Sequence, residues 1–192
     1  MTIQTRNKLV WGVGINDVYQ QGFYKTVCYK KWQDVLRRSC NEEWKEKKPM
    51  YKNCTLDDRW RYASAFKEWY DTWENPDSKN IDKDILIPGN MIYGPDTCLM
   101  VSNLTNAWFK PTDIVKSKGD KTLPRGVCAN KEYTKFRSQI NEINGVNRRH
   151  LGWYNTPEEA YEVFDKARKE QIKIIFEMEE DSRIKNALRQ YL

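Results

Sequence analysis

The hydrophobic pattern of this chain changes period several times, and each change marks an element. Residues 1–25 are polar, hold Gly12, Gly14 and Gly22, and predict an arm or short strands. From 28 to 41, Cys28, Trp32, Val35/Leu36 and Cys40 recur at helical spacing. Residues 42–53 are charged and read as a connection. Thr55 followed by Asp58 resembles a capping box and predicts a second helix, with Trp60, Ala63, Phe66, Trp69/Tyr70 and Trp73 on one face. An aromatic stripe at that spacing is core rather than a base-stacking platform. The helix should stop near Asn75-Pro76, because a residue before proline disfavours helical backbone.

Over 80–106 the pattern predicts a compact β-β-α unit. Asn80–Ile87 alternates and then runs apolar, Pro88-Gly89-Asn90 is a turn, and Met91–Tyr93 is a second short strand. After Gly94-Pro95, Asp96 is placed to cap a helix carrying Cys98, Val101, Leu104 and Ala107. Residues 109–124 lack periodicity, are rich in Lys, and read as a linker.

The last third is clearest. Arg125–Lys131, Tyr133–Asn141 and Arg148–Tyr154 predict three strands, with Asn144-Gly145 in a hairpin turn. Alternation puts Phe136, Ser138 and Ile140 on one face, and Arg137, Gln139 and Asn141 on the other. Arg148 and His150 share a parity that assigns them to the polar face. Thr156 with Pro157 and Glu159 forms a capping box, and Ala160, Val163, Phe164, Ala167 and Ile174/Ile175 supply a stripe to cover the sheet. Residues 181–192 predict a short further helix. The fold class is therefore α+β. A helical N-terminal region with a β-β-α unit fills 1–108, and a three-stranded antiparallel sheet packed on one helix fills 125–192.

Composition narrows the chemistry. The chain has 192 residues, 13% aromatic content, eight Trp and a net charge of +6. It is too aromatic for a disordered chain. No apolar run approaches the roughly 18 residues of a membrane span. The start, Met1–Arg6, has no apolar signal core, which predicts a cytosolic protein. Within 125–154, six Lys/Arg stand against Glu132 and Glu142, so +4 of the +6 lies in about a sixth of the chain. Clustered positive charge is the footprint of a phosphate-backbone binder; a solvated basic face is the plainer alternative. Five cysteines (Cys28, Cys40, Cys54, Cys98, Cys128) without a Cys-x-x-Cys pair fit no zinc ribbon or finger. They read as buried thiols, with zinc held by distant positions as the alternative.

The pattern Arg125-Gly126-Val127, Phe136-x-Ser138-x-Ile140, Arg148-x-His150-Leu151-Gly152-x-Tyr154-x-Thr156-Pro157-Glu158-Glu159-Ala160 resembles the APETALA/ethylene-response-factor DNA-binding domain over about 50 residues. In that family the three-stranded sheet lies in the major groove, with Arg and Trp on the free face reading DNA. Carried over, the resemblance implies DNA contacts at Arg125, Arg137, Gln139, Arg148 and His150, with Arg149 beside them. His150 stands where the family has Trp, and Cys128 where plant members have Arg.

Upstream, Ile81-Asp82-Lys83-Asp84-Ile85, Gly89-Asn90, Pro95-Asp96-Thr97-Cys98 and Asn106 follow the order of parts in the HNH (β-β-α metal) nuclease core. With Gly12-Val13-Gly14-Ile15-Asn16-Asp17 and the Trp-rich helix, the whole chain resembles bacteriophage HNH homing-endonuclease-like proteins, which act in the cytoplasm of an infected bacterial host cell. The resemblance implies a divalent metal, Mg²⁺ or Mn²⁺ rather than zinc, on Asp82 and Asn106, with Lys83 and Asp84 in the catalytic positions. It implies double-stranded DNA as the partner; nothing specific supports a host protein partner. The unit is degenerate. Lys83 stands at the general-base His position, and a Lys with its ordinary pKa near 10.4 is protonated and takes no proton. Three readings stay open: slow nicking with Asp84 or bulk water as base, Lys83 stabilising the transition-state phosphate, or a DNA-binding protein that no longer cuts.

Overall fold

The computed structural model describes residues 9–109, 122–143, 145 and 147–192. Most of the linker expected at 109–124, and Asn144 of the hairpin turn, lie outside the described residues. The fold is α+β, in two compact units, Met1–Asn103 and Leu104–Leu192. Among the described residues no helix is long and apolar enough to cross a membrane.

In the first unit, α1 (Val27–Cys40) forms as its spacing predicts. Thr26 caps it by accepting the Tyr29 N–H, and Cys28, Trp32, Val35 and Leu36 are buried. Residues 42–47 are helical rather than a bare connection: α2 (Glu42–Lys47) starts at Asn41, whose side chain accepts the Trp44 N–H at 2.7 Å. An Asn followed by two acidic residues is a helix start.

Thr55 does not open a helix. Thr55–Leu56 is a strand, β1, and the cap falls two residues later, where Asp57 accepts the Arg59 N–H and starts the single turn Asp58–Arg61. The helix proper, α3, is Ala63–Asp71. Its aromatic stripe is core: Trp60 packs edge-on to Phe66 and Trp69, with centroids 5.0 and 4.8 Å away, and Trp32 Nε1 donates to the Trp60 carbonyl at 2.8 Å. Asn75, with φ +46°, turns the chain out before Pro76.

The Gly12–Asp17 segment is structural as well. Ile15 pairs with the chain entering α3, receiving the Ala63 N–H at its carbonyl and donating to Arg61. A side chain at Gly14 would meet Leu36 and Trp32. Asp17 accepts both the N–H and the hydroxyl of Ser64, at 2.9 and 2.5 Å, so a carboxylate from 47 residues upstream caps α3.

The strand order over 80–106 differs from the expected one. β2 (Asn80–Asp82) pairs antiparallel with β4 (Leu99–Val101), and β3 (Ile92–Tyr93) pairs parallel with β1. No helix runs through Cys98 and Val101. Leu99, Met100 and Val101 are all buried, and a short continuous apolar run is a strand covered on both sides. The helix, α4, begins at Asn103 and ends at Trp108.

In the second unit, β5 (Val127–Ala129), β6 (Phe136–Asn141) and β7 (Arg148–Tyr154) form one antiparallel sheet in that order. α5 (Pro157–Met178) follows with its full capping box: Thr156 accepts the Glu159 N–H, and Glu159 accepts the N–H of Thr156. α5 packs against all three strands. Val127, Ser138 and Ile140 on the sheet and Ala160, Phe164 and Ala167 on the helix are buried. Removing a side chain such as Phe164 from water stabilises by roughly 2–3 kcal/mol. Beyond the sheet, α5 buries Ile172 and Ile175, while Ile174 is half exposed. α6 (Ser182–Leu188), capped by Asp181, buries Ile184, Ala187 and Leu188.

Candidate nucleic-acid interface

The register of β5–β7 decides which side chains share the face away from α5. Arg137 lies opposite Cys128 on one side and Trp153 on the other, Gln139 opposite His150, and Asn141 opposite Arg148. Val127, Ser138 and Ile140 alternate with these and are buried toward the helix. The outer face therefore brings together Arg137, Gln139, Arg148 and His150. Arg148 Nε donates to Asn141 Oδ1 at 3.1 Å, and Gln139 Nε2 lies 3.3 Å from Cys128 Sγ. The buried Nε of Arg137 has no hydrogen-bond partner, and its guanidinium carbon sits 5.8 Å from the centre of the Trp153 ring.

Two expected contacts lie elsewhere. Arg149 pairs with Ile140, on the helix side of the sheet, although its side chain is exposed at the strand end. Arg125 lies in the turn before β5, where Gly126 takes φ +79°, so strand alternation does not reach it. Burial lowers its pKa first, and the charge of Arg168 on α5 lowers it further, while Tyr161 of α5 opposes the shift. These influences belong to the helix side.

Trp153 is the residue that alternation misses. Counted from Arg148 and His150, position 153 falls on the opposite face. The register, however, slips at Ser138/Gln139: Ser138 pairs with Gly152, and Gln139 with His150. Leu151 is the extra residue of a β-bulge, and it returns Trp153 to the face of Arg148 and His150. Gly152 takes φ +139° there, and the Tyr154 hydroxyl donates to the Leu151 carbonyl at 3.0 Å. A glycine inside a strand pattern is the sequence signal that marks such a bulge.

The Asp-Lys-Asp segment lies in the first unit. Asp82 is buried, and its Oδ1 accepts the N–H groups of Asp84 and Ile85 at 2.8 and 2.7 Å, closing the turn after β2. Burial pushes its carboxyl pKa up, against the lowering effect of those two bonds. Lys83, also buried, donates to Asp84 Oδ1 at 2.7 Å and to the Asn90 carbonyl at 2.6 Å. Asn90 returns a bond to the Lys83 carbonyl at 3.0 Å. Asn106 lies on α4, in the second unit.

These residues fit a divalent cation poorly. One Asp82 oxygen is committed to two backbone donors, and an ammonium stands against Asp84. Among the described residues, no group of three or more His, Cys, Asp or Glu side chains is arranged to hold a metal. If Asp82 is a turn former, Asp82→Asn should keep the turn, since the amide oxygen accepts the same bonds. The folded state raises the acid's pKa, so it disfavours the charged form. That penalty is full above the folded pKa and is relieved as pH falls through it. The Asn variant should therefore match or exceed the parent's stability at neutral pH. Asp82→Ala should lose about 2 kcal/mol. Urea unfolding of both variants across pH checks this.

All five cysteines are free thiols. Burial pushes Cys28 and Cys98 up to about 12, so neither is a thiolate at neutral pH. No family model matches the chain, and neither a curated protein nor a solved structure matches it significantly.

Proposed function

We propose that this chain binds duplex DNA, with the outer face of β5–β7 against the major groove. The observation that carries this reading is the gathering of Arg137, Gln139, Arg148 and His150 on one side of a sheet whose other side is packed on α5. A groove about 12 Å wide admits a β-ribbon. Arginines supply charge for phosphates and bidentate donors for guanine, while Gln139 suits adenine. The resemblance to the APETALA/ethylene-response-factor domain supports the same surface. The packing of α5 gives the sheet a rigid support.

Cleavage of that DNA is the second reading. The antiparallel pair β2–β4, followed in the chain by α4, keeps the order of an HNH-like unit and favours it. The committed bonds of Asp82, Lys83 and Asp84 weigh against it. Binding without cutting is the function the geometry supports best.

Binding of random-sequence duplexes, measured by fluorescence anisotropy over a range of salt, tests the first reading. The logarithm of the affinity should fall linearly with the logarithm of salt concentration. Arg137→Ala and Arg148→Ala should each weaken binding and, where they meet phosphate, lower that slope by about 1. Two variants that bind like the parent would remove the sheet from the interface. Supercoiled plasmid with Mg²⁺ or Mn²⁺ addresses the second reading: nicking abolished in Asp82→Asn, which keeps the turn, but kept in Arg148→Ala at saturating protein would restore the nuclease.

A further inference from the structure

We propose that Lys47, Lys48 and Lys52 form a second contact with duplex DNA, in the first unit, that holds phosphates without reading bases. The inference rests on the proposal that the outer face of the sheet binds duplex DNA, and it adds an anchor outside that sheet.

Charge is segregated along the first unit. Residues 25–52 hold nine Lys/Arg against four Asp/Glu, whereas 53–103 hold five against nine. The four carboxylates of the basic stretch do not neutralise it evenly. Asp34 pairs with Arg37 and Arg38, and Glu42 pairs with Lys45 at 3.0 Å. Lys47, Lys48 and Lys52 are all exposed, and among the described residues they make no ion pair; Glu43 and Glu46, exposed on the same short helix, pair with none of them. Cations in the last turn of a helix complement its dipole, which accounts for Lys45 and Lys47. That effect falls off within the turn, and Lys48 and Lys52 lie past the end of α2.

The backbone holds these lysines in a fixed array. From α2 to Cys54 the chain runs in successive hydrogen-bonded turns: Lys48 N–H donates to the Trp44 carbonyl, Tyr51 to Lys48, Lys52 to Pro49 and Cys54 to Tyr51. Both ends are anchored on consecutive residues of α1. The Arg37 guanidinium carbon lies 4.1 Å from the centre of the Trp44 ring, and that of Arg38 lies 5.7 Å from the centre of the Tyr51 ring. The two arginines are turned inward as struts, and the lysines are left facing water. Like charges so close on ordered chain repel one another, and a row of phosphates relieves that repulsion. Duplex DNA supplies one negative charge per about 1.7 Å of its axis. Lysine meets phosphate as a flexible point charge, which fixes position and carries no sequence information. A second contact on the same chain multiplies affinity for a duplex long enough to meet both.

The experiment is anisotropy titration of the full chain with a long random-sequence duplex pool at several salt concentrations. The proteins are the parent, Lys47→Gln/Lys48→Gln/Lys52→Gln, Lys166→Gln/Lys169→Gln/Lys173→Gln and Arg148→Ala. The second triple variant is the control: it removes the same charge from lysines that lie among Glu162, Asp165 and Glu170 on α5. The first triple should bind at least about tenfold more weakly at physiological salt and lower the salt slope by about 2–3. The control should keep the parent's slope. The loss should be equal on A·T-rich and G·C-rich duplexes. If the first triple melts below the parent, Lys48→Gln/Lys52→Gln, both past the helix end, carries the comparison with a slope lowered by about 2. A parent-like slope in the first triple, while Arg148→Ala lowers it, overturns the second contact and leaves the sheet reading standing. Equal losses in the two triples overturn it as well, since net charge alone then explains them. A loss confined to one base composition overturns the phosphate assignment. A first triple that loses slope while Arg148→Ala binds like the parent keeps this contact and removes the sheet. A parent that binds no duplex at any salt overturns both.

Discussion

Gly126→Ala should destabilise the second unit by about 3 kcal/mol and remove the platform that carries the basic face. Two costs add at this position. The backbone takes φ +79°, which an L side chain adopts at a cost of roughly 1–2 kcal/mol. The added methyl would also lie 2.1 Å from Cδ2 and 2.4 Å from Cε2 of Phe164. That ring is 4% exposed and stacks on Tyr161, so it has little room to yield. Gly145→Ala separates the two costs. It has a similar φ of +70° with nothing within 4 Å, so it should lose only about 1 kcal/mol. Gly126→Asn should not rescue Gly126→Ala, because asparagine tolerates the backbone but still carries a Cβ. Hydrogen exchange of the β6 amides reads the result directly. Equal protection in Gly126→Ala and Gly145→Ala would show that the close approach to Phe164 carries no cost.

The second unit was more legible in the sequence than the first, and locality explains the difference. Thr156, Pro157 and Glu159 start α5 within four residues, and a capping box carries the same meaning in isolation and in the fold. Strand β7 has its expected ends for the same reason: turn residues and alternation are local signals. Thr55 misleads because its fate is decided by Ile92–Tyr93, a pairing partner 37 residues away. The run Cys98–Val101 is ambiguous by itself, since helical spacing and a buried strand both place apolar residues there. Asp17 was invisible as a cap because it acts on Ser64 across 47 residues. At the candidate site, alternation assigns Arg137, Gln139, Arg148 and His150 to one face, but a one-residue bulge hides Trp153 from the same rule. The resemblance carries Arg125 and Arg149 over by position, whereas Arg149 pairs with Ile140 of the helix-side row and Arg125 lies in the turn before β5. A motif order likewise cannot tell a ligand from a turn former. Asp82 satisfies the backbone of Asp84 and Ile85 in a way that only coordinates reveal.

Lys83→Ala should cost about 3 kcal/mol in the first unit, more than any change on the exposed sheet face. The Lys83 side chain is 8% exposed and that of Asp84 18% exposed, so water screens the pair weakly. Removing the lysine takes the cation from a nearly buried carboxylate and a donor from the Asn90 carbonyl. Asn90 is itself the clasp of this loop, since its amide donates to the Lys83 and Ile92 carbonyls while its oxygen accepts the Ile92 N–H. The loss should therefore spread to β3. Lys83→Met/Asp84→Leu removes both charges and should be more stable than Lys83→Met alone, because it leaves no carboxylate facing the apolar side chain that replaced its lysine. Lys83→Arg should not restore the parent, since a planar guanidinium does not replace a compact ammonium bonded to two different oxygens. Urea midpoints of the single and double variants measure the coupling. A structural lysine predicts a positive recovery in the double variant and unchanged DNA affinity wherever both units remain folded. A lysine kept for phosphate chemistry predicts the reverse: little change in stability on Lys83→Met, and loss of nicking that Asp84→Leu does nothing to repair.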